Sequence, residues 1–242
     1  MYNGVEKLRE GKNALIQGDH ADMLFTALAE QLKTPLLQIA RLSESAQTEQ
    51  IAAISEHALR LVDAFMQTQA QHQTKLLLEP LSSSAVLYDV AHALQPFARH
   101  MNYQVDIDVR GKSLPIMAHR DSLRSMLTLL GASLMEAGAL EQTKMSKNLV
   151  LGMHRSAKGM VVGAFSNQVT LTQRALLLAR TLQGRAAQVS PLLGQVGGAG
   201  LAIADTLSQQ LSAPLRVYRH QSLVGIGSLL LPSRQLELLE PR

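Results

Sequence analysis

The chain has 242 residues, 46% hydrophobic and 17% charged, which is ordinary globular composition with room for one large or two smaller domains, and excludes a disordered or low-complexity chain. It contains no cysteine, so disulfides, thiolate metal sites, iron–sulfur clusters and cysteine nucleophiles are ruled out. The net charge of +4 hides an asymmetry: from Gln142 to Leu236 the only acid is Asp205, against ten lysines and arginines, whereas residues 1–141 are net negative.

A basic C-terminal half suits either a solvated surface or an anionic partner. Nucleic acid is not the expected partner, because aromatics make up 3% of the chain and none interleave the bases. Met1–Gln17 carries Glu6, Lys7, Arg9, Glu10 and Lys12 without an apolar core, so no secretory signal is expected. The longest uncharged run, Ala186–Ala204, is broken by Pro191 and four glycines and reads as a loop rather than a membrane span. A cytoplasmic protein is expected.

In chain order, Phe25, Leu28, Leu32, Leu36 and Ile39 recur at spacings of three and four, which predicts a helix with one apolar face. Pro35 inside it predicts a bend. Ile51, Ile54, Ala58, Leu61 and Phe65 step 3-4-3-4, the seam of a helix packed nearly parallel to another. The short polar connection Ser43–Gln50 makes the two an antiparallel hairpin. Two helices cannot enclose a core, so the seam predicts a homodimeric four-helix bundle. The alternative is that the hairpin packs on its own C-terminal part.

Leu76–Pro80 reads as a short strand, and Ser82–Ser84 supplies N-cap candidates for a helix ending near His100. Tyr103, Val105, Ile107 and Val109 alternate with polar residues, predicting a half-buried strand. A helix over Asp121–Ala137 is followed by strands Asn148–Arg155 and Met160–Ser166, joined through Ala157–Gly159 as a hairpin. A helix-capable stretch (Leu171–Leu182), the Gly-rich loop, a helix (Leu201–Leu211) and strands Leu215–His220 and Ile226–Leu231 complete the chain. The pattern predicts helices layered on one face of a mixed sheet.

This order, together with three local segments, resembles a histidine kinase core, in which a dimerising helical hairpin precedes a GHKL-type ATPase domain. The first segment, Phe25-Thr-Ala-Leu-Ala-Glu-Gln-Leu-Lys-Thr-Pro-Leu36, is similar to the family's phosphoacceptor box. The second is Leu77-Leu-Glu-Pro80 leading into a helix that ends near Pro96-Phe97-Ala98. The third is Gly197-Gly-Ala-Gly-Leu-Ala-Ile203 with the strands that follow it. The resemblance implies an α+β chain: a hairpin over residues 1–75 forming a dimeric four-helix bundle, then an α/β sandwich of the GHKL (Bergerat) ATPase type over 76–242. No sensor domain is expected before the hairpin, so input would come from another chain.

The departures from the family fall on its chemistry. Glu30 stands where the family has its phosphorylated histidine, and Gln31 where it has the acidic base. A carboxylate cannot replace imidazole as a phosphoramidate carrier. Ser133 stands where an Asn holds Mg²⁺, and Ser166–Thr170 lacks the Asp that reads adenine; no carboxylate occurs between Gln142 and Ala204. The expectation is therefore a chain without autokinase activity, without a metal site and without a nucleotide cofactor, unless a divergent ATP/Mg mode survives. Gly197, Gly198 and Gly200, with Arg185, are candidate remnants of a phosphate-binding loop. Thr34 holds the family position that can orient water against a receiver's aspartyl phosphate, so a phosphatase or phosphotransferase role is the alternative. Lys33, Thr34 and Leu36 are the expected partner-binding residues, towards a response-regulator receiver domain or another signalling kinase. His57 is a candidate substitute phosphoacceptor, with a bundle-edge histidine as the plainer reading.

Overall fold

The computed structural model describes residues 25, 27–29, 31–43, 47–71, 76–111, 114–139, 147–167, 173, 176 and 198–233. The predicted elements in that set form, with shifted ends: helix α1 (31–43) and helix α2 (Thr48–Gln71), strand β1 (Glu79–Leu81), helix α3 (Ser83–His100) and strand β2 (Gln104–Val109). Strand β3 (Ile116–Ala118), helix α4 (Arg120–Ala139), strands β4 (Asn148–Ser156) and β5 (Gly159–Ser166), helix α5 (Ala199–Gln210) and strands β6 (Arg216–His220) and β7 (Leu223–Leu230) follow.

The caps show why the helices begin where they do. Ser82 accepts from Ala85 N–H at 3.4 Å at the start of α3, as the serine run suggested. The start of α4 is capped by His119, whose Nδ1 accepts from Ser122 N–H at 3.3 Å. Strand β3 was not anticipated; its three residues, too few to show a period, pair antiparallel with β1 from Glu79↔Ala118 to Leu81↔Ile116.

The main sheet has the order β2-β4-β5-β7-β6, with β2 parallel to β4 and the other pairs antiparallel. That is the mixed sheet expected. Leu149, Leu151 and Met153 of β4 and Met160, Val162 and Ala164 of β5 turn one face to Met126, Leu127, Leu130 and Leu134 of α4 and to Ala202, Ile203 and Leu207 of α5. The alternation carries Gly152 and His154 to the opposite face.

On that opposite face, Gly152, Gly163 and Gly227 stand side by side across β4, β5 and β7. The His220 ring lies over Gly152, where a Cβ would come within 3.0 Å of it and 2.9 Å of the Phe165 ring. Asp108 on one edge strand and His220 on the other therefore meet at 2.9 Å, so the sheet is curled enough to bring β2 and β6 together.

The seam of α2 is covered within this chain. Leu61 and Ala64 belong to the same apolar cluster as α3, α4 and α5, and Ile54 is also buried. Arg60 donates to the Ala93 carbonyl of α3, and Gln210 Nε2 of α5 donates to the Thr68 carbonyl at 3.1 Å. Of the five predicted seam residues Ile54 and Leu61 are buried and Ile51, Ala58 and Phe65 half-buried, and the buried face also takes in Ala53, His57, Ala64 and Thr68; within this chain that face is covered by the chain's own helices. What the hairpin leaves exposed is a different set, Phe25, Leu36, Leu37, Leu59 and Met66.

Candidate functional site where the hairpin meets helix α5

The first N–H groups of a helix have no partner inside it. At the start of α5, Gly198 is the N-cap residue and has no side chain to offer. Its carbonyl accepts from Leu201 and Ala202 N–H at 3.1 and 3.3 Å. The Gly200 N–H is satisfied from elsewhere: it donates to Gln31 Oε1 of α1 at 3.2 Å, across 169 positions of sequence.

Gln31 is itself fixed. Its Nε2 donates to Glu136 Oε2 of α4 at 3.2 Å, and the other oxygen of Glu136 accepts from His57 Nε2 of α2 at 3.1 Å. The His57 ring is buried and stacks on Phe97 of α3, centroids 4.2 Å apart and planes 22° from parallel. One carboxylate thus joins α1, α2 and α4, and one amide joins α1, α4 and α5.

The glycines make this contact possible. A Cβ on Gly198 would collide with the Gln31 amide, and one on Gly200 would come within 2.8 Å of Ser133 Oγ. The loop remnant read as an approach for phosphate is, at its two described glycines, an approach for side chains of this chain. Ser133, read from the sequence as standing in for a metal-binding Asn, is buried beside Gly200. Among the described residues no group of three His, Cys, Asp or Glu could hold a metal ion.

Of the other candidates, Lys33, Thr34 and Leu36 all lie exposed on α1, while Pro35 between them is buried. Glu30, Gly197 and Arg185 lie outside the described residues, as does most of Leu171–Leu182. His57 is seated with Glu136 rather than at an exposed bundle edge. Glu136 itself was not singled out from sequence. The available signal was a lone carboxylate among apolar positions, for Leu134, Met135, Ala137 and Gly138 around it are all buried.

No protein-family model and no curated protein matches the sequence. Solved structures do match. The histidine kinase ThkA, in a crystal structure with the response regulator protein TrrA, is 12% identical over 95% of this chain and 66% of that one, with a TM-score of 0.52. Full-length ShkA in complex with AMPPNP is 16% identical over 88% of this chain and 47% of that one, with a TM-score of 0.51. The chain has a histidine kinase-like core. In that fold, α1 and α2 are the hairpin, and α3, α4 and α5 pack with the mixed sheet. The contact of Gln31 with Gly200 therefore lies between the hairpin and the start of α5. Among the described residues no helix is long and apolar enough to cross a membrane.

Proposed function

We propose that the protein is a two-component-type signalling protein that has lost autokinase chemistry and acts by binding another protein through its hairpin. The observation that carries this reading is Gln31 seated on the Gly200 N–H with Glu136 behind it. An incoming phosphate would have to displace a neutral amide that already satisfies the helix terminus, and would then face a carboxylate. Ser133 offers a hydroxyl where the family offers an Asn to Mg²⁺, and no carboxylate from Gln142 to Ala204 is present to read adenine. The residues present do not fit a Mg²⁺–nucleotide.

The partner we infer is a receiver domain. ThkA was solved with a response regulator, and Lys33, Thr34 and Leu36 present a cation, a hydroxyl and an apolar contact on the exposed side of α1. A receiver's acidic pocket would complement Lys33. The exposed apolar set Phe25, Leu36, Leu37, Leu59 and Met66 supports self-association of the hairpin, in place of the α2 seam that the chain covers itself. Exposure of Thr34 also keeps a second reading, stimulated dephosphorylation of the receiver, within reach of the same face.

Titration with a fluorescent ATP analogue, with and without Mg²⁺, tests the loss of kinase chemistry: no saturable binding at low micromolar concentration is expected, and Mg²⁺-dependent binding there overturns it. Receiver binding is tested with Lys33→Glu, which should slow association in a salt-dependent way. Thr34→Ala should leave affinity nearly unchanged and abolish dephosphorylation if that second activity exists.

A further inference from the structure

The tip of the β6–β7 hairpin is folded over the far face of the sheet, and nothing in the proposed function uses the contact that holds it there. Gln221, in the turn with φ 57°, and His220 before it both donate from Nε2 to Asp108 Oδ2 of β2, His220 at 2.9 Å. Arg110 Nε donates to the same oxygen at 3.0 Å. On the other side of the His220 ring, its Nδ1 stands 3.0 Å from Nδ1 of His154 on β4. The His220 ring is buried, stacked on Phe165 with centroids 4.9 Å apart and close over Gly152, so it is held between both neighbours.

Two ring nitrogens 3.0 Å apart hold one proton between them. Asp108 is an acceptor: the Arg110 hydrogen bond, followed by those of Gln221 and His220, holds its carboxyl below the ordinary value against the opposing effect of burial. His220 therefore carries a proton on Nε2 whenever the contact is made. With both rings neutral, His154 Nδ1–H donates to His220 Nδ1. With one proton added, either ring carries the charge and one N–H still lies between the two. With both rings protonated, two N–H groups of two cations point at each other, and the contact cannot persist. This limit comes from the geometry and holds whichever ring takes the first proton, since the two titrate as a pair.

We propose that Asp108, His220 and His154 form a proton-operated latch, which holds the tip of the β6–β7 hairpin on β2 through the first added proton and releases it on the second. The charged groups facing His154 are Asp108 and Arg110 from β2 and His220 from the tip. The residues that β5 and β7 turn to this face, Val161, Gly163, Phe165, Gly225, Gly227 and Leu229, do not titrate. Elsewhere on the face Asp106 accepts from Gln104 and Asn148, and Tyr218 lies beside Arg216 on β6. Burial first, then the His220 and Arg110 charges, lowers the His154 pKa, so release falls below pH 6.5 while Asp108 is still ionised. The latch is independent of the receiver reading above.

The test is imidazole NMR on the full chain with ¹⁵N-labelled histidine, between about pH 7.5 and about pH 5. The wild type should show the His220 Nε2–H and the N–H shared with His154 as slowly exchanging downfield signals. Both should be lost in one step below pH 6.5, with the amide dispersion of the rest of the chain retained. His154→Gln supplies an amide that either donates to or accepts from His220 Nδ1, so the contact tolerates both charge states and the His220 signal should persist across the range. Asp108→Ala removes the acceptor, and that signal should be absent at every pH. Wild-type signals that survive to the acid end, loss in His154→Gln at the same step, or a His220 signal retained in Asp108→Ala overturns the latch. So does loss that coincides with collapse of the amide dispersion, which would be unfolding rather than release.

Discussion

His57 and His220 each donate from Nε2 to a carboxylate, at 3.1 Å to Glu136 and 2.9 Å to Asp108, and each ring is buried and stacked on a phenylalanine. Their surroundings give them opposite characters. The Glu136 carboxylate is shared inward, its second oxygen taken by Gln31, and Gln31 closes on the Gly200 N–H. That chain starts and ends inside the contact between helices and makes a lock. The Asp108 chain runs through His220 to the half-buried His154, which has no further hydrogen bond among the described residues. The same pair of residue types closes on the helix contact in one place and extends to a second histidine in the other.

The largest effect expected is on the lock as a whole. Leu61 is fully buried between α2 and α5, beside Gly200. Leu61→Asp places an unpaired charge there and should cost at least about 3 kcal/mol, read as loss of the cooperative unfolding transition or of soluble protein. A fold that tolerates the charge would mean that α2 is not seated on α5 in solution.

Gly152→Ala tests the other region. Its Cβ would need the space of the Phe165 and His220 rings, both buried, and should cost about 1–3 kcal/mol by overpacking. If that variant is as stable as the wild type, His220 does not lie over this glycine and the two edges of the sheet do not meet. Glu136→Ala leaves a buried His57 N–H and the Gln31 amide without acceptors, at about 1–3 kcal/mol. Glu136→Gln, which keeps an acceptor oxygen, should recover part of that in chemical denaturation.

The fold was largely legible in the sequence because its signals are local. The 3-4 spacing gave both hairpin helices, the alternation from Tyr103 to Val109 gave β2, and the Ser82 cap was a residue type in its expected place. Ile54 and Leu61 were read as buried, and they are. What covers them was not legible, since periodicity records that a face is apolar and carries nothing about its partner. Neither site could be assembled the same way. Gln31 meets Glu136 and Gly200 across 105 and 169 positions, and Asp108 meets His220 across 112. Each such residue looks locally like something plainer: Gln31 a lost base, Gly200 a phosphate loop, Asp108 the solvent side of a strand.

Gln31→Ala sharpens the comparison with a smaller change. It removes a single acceptor supplied by a side chain that is itself only half-buried, so about 0.5–1.5 kcal/mol is expected, less than for Glu136→Ala. Its value lies in a second reading of the same variant. If Gln31 alone excludes phosphate, Gln31→Ala should show anion binding at α5, seen as stabilisation by inorganic phosphate that the wild type lacks. If Glu136 and Ser133 also exclude it, phosphate should stabilise neither protein.

The smallest effect expected is on pH dependence, to which His154 and Asp108 on the far side of the sheet both contribute. Burial lowers the His154 pKa below 6.5, with His220 and Arg110 adding to it. Above 6.5 this histidine is neutral whether the chain is folded or not and contributes no slope. As pH falls below 6.5 the unfolded chain binds a proton that the folded chain resists, so stability declines until pH passes the lowered folded value, and is then level. His100, also lowered by burial, adds a decline of the same sign. Asp108 acts lower: its folded pKa lies below 3.8, so its contribution is present above that value and is lost as pH falls through the folded one. Two steps of decline are therefore expected, one below pH 6.5 and one in the acid range. His154→Gln and His100→Gln should each flatten the first in part, while Asp108→Asn should remove its share of the second. A first step untouched by His154→Gln would mean that the ring is solvated when folded, and that the line from Asp108 through His220 does not reach it.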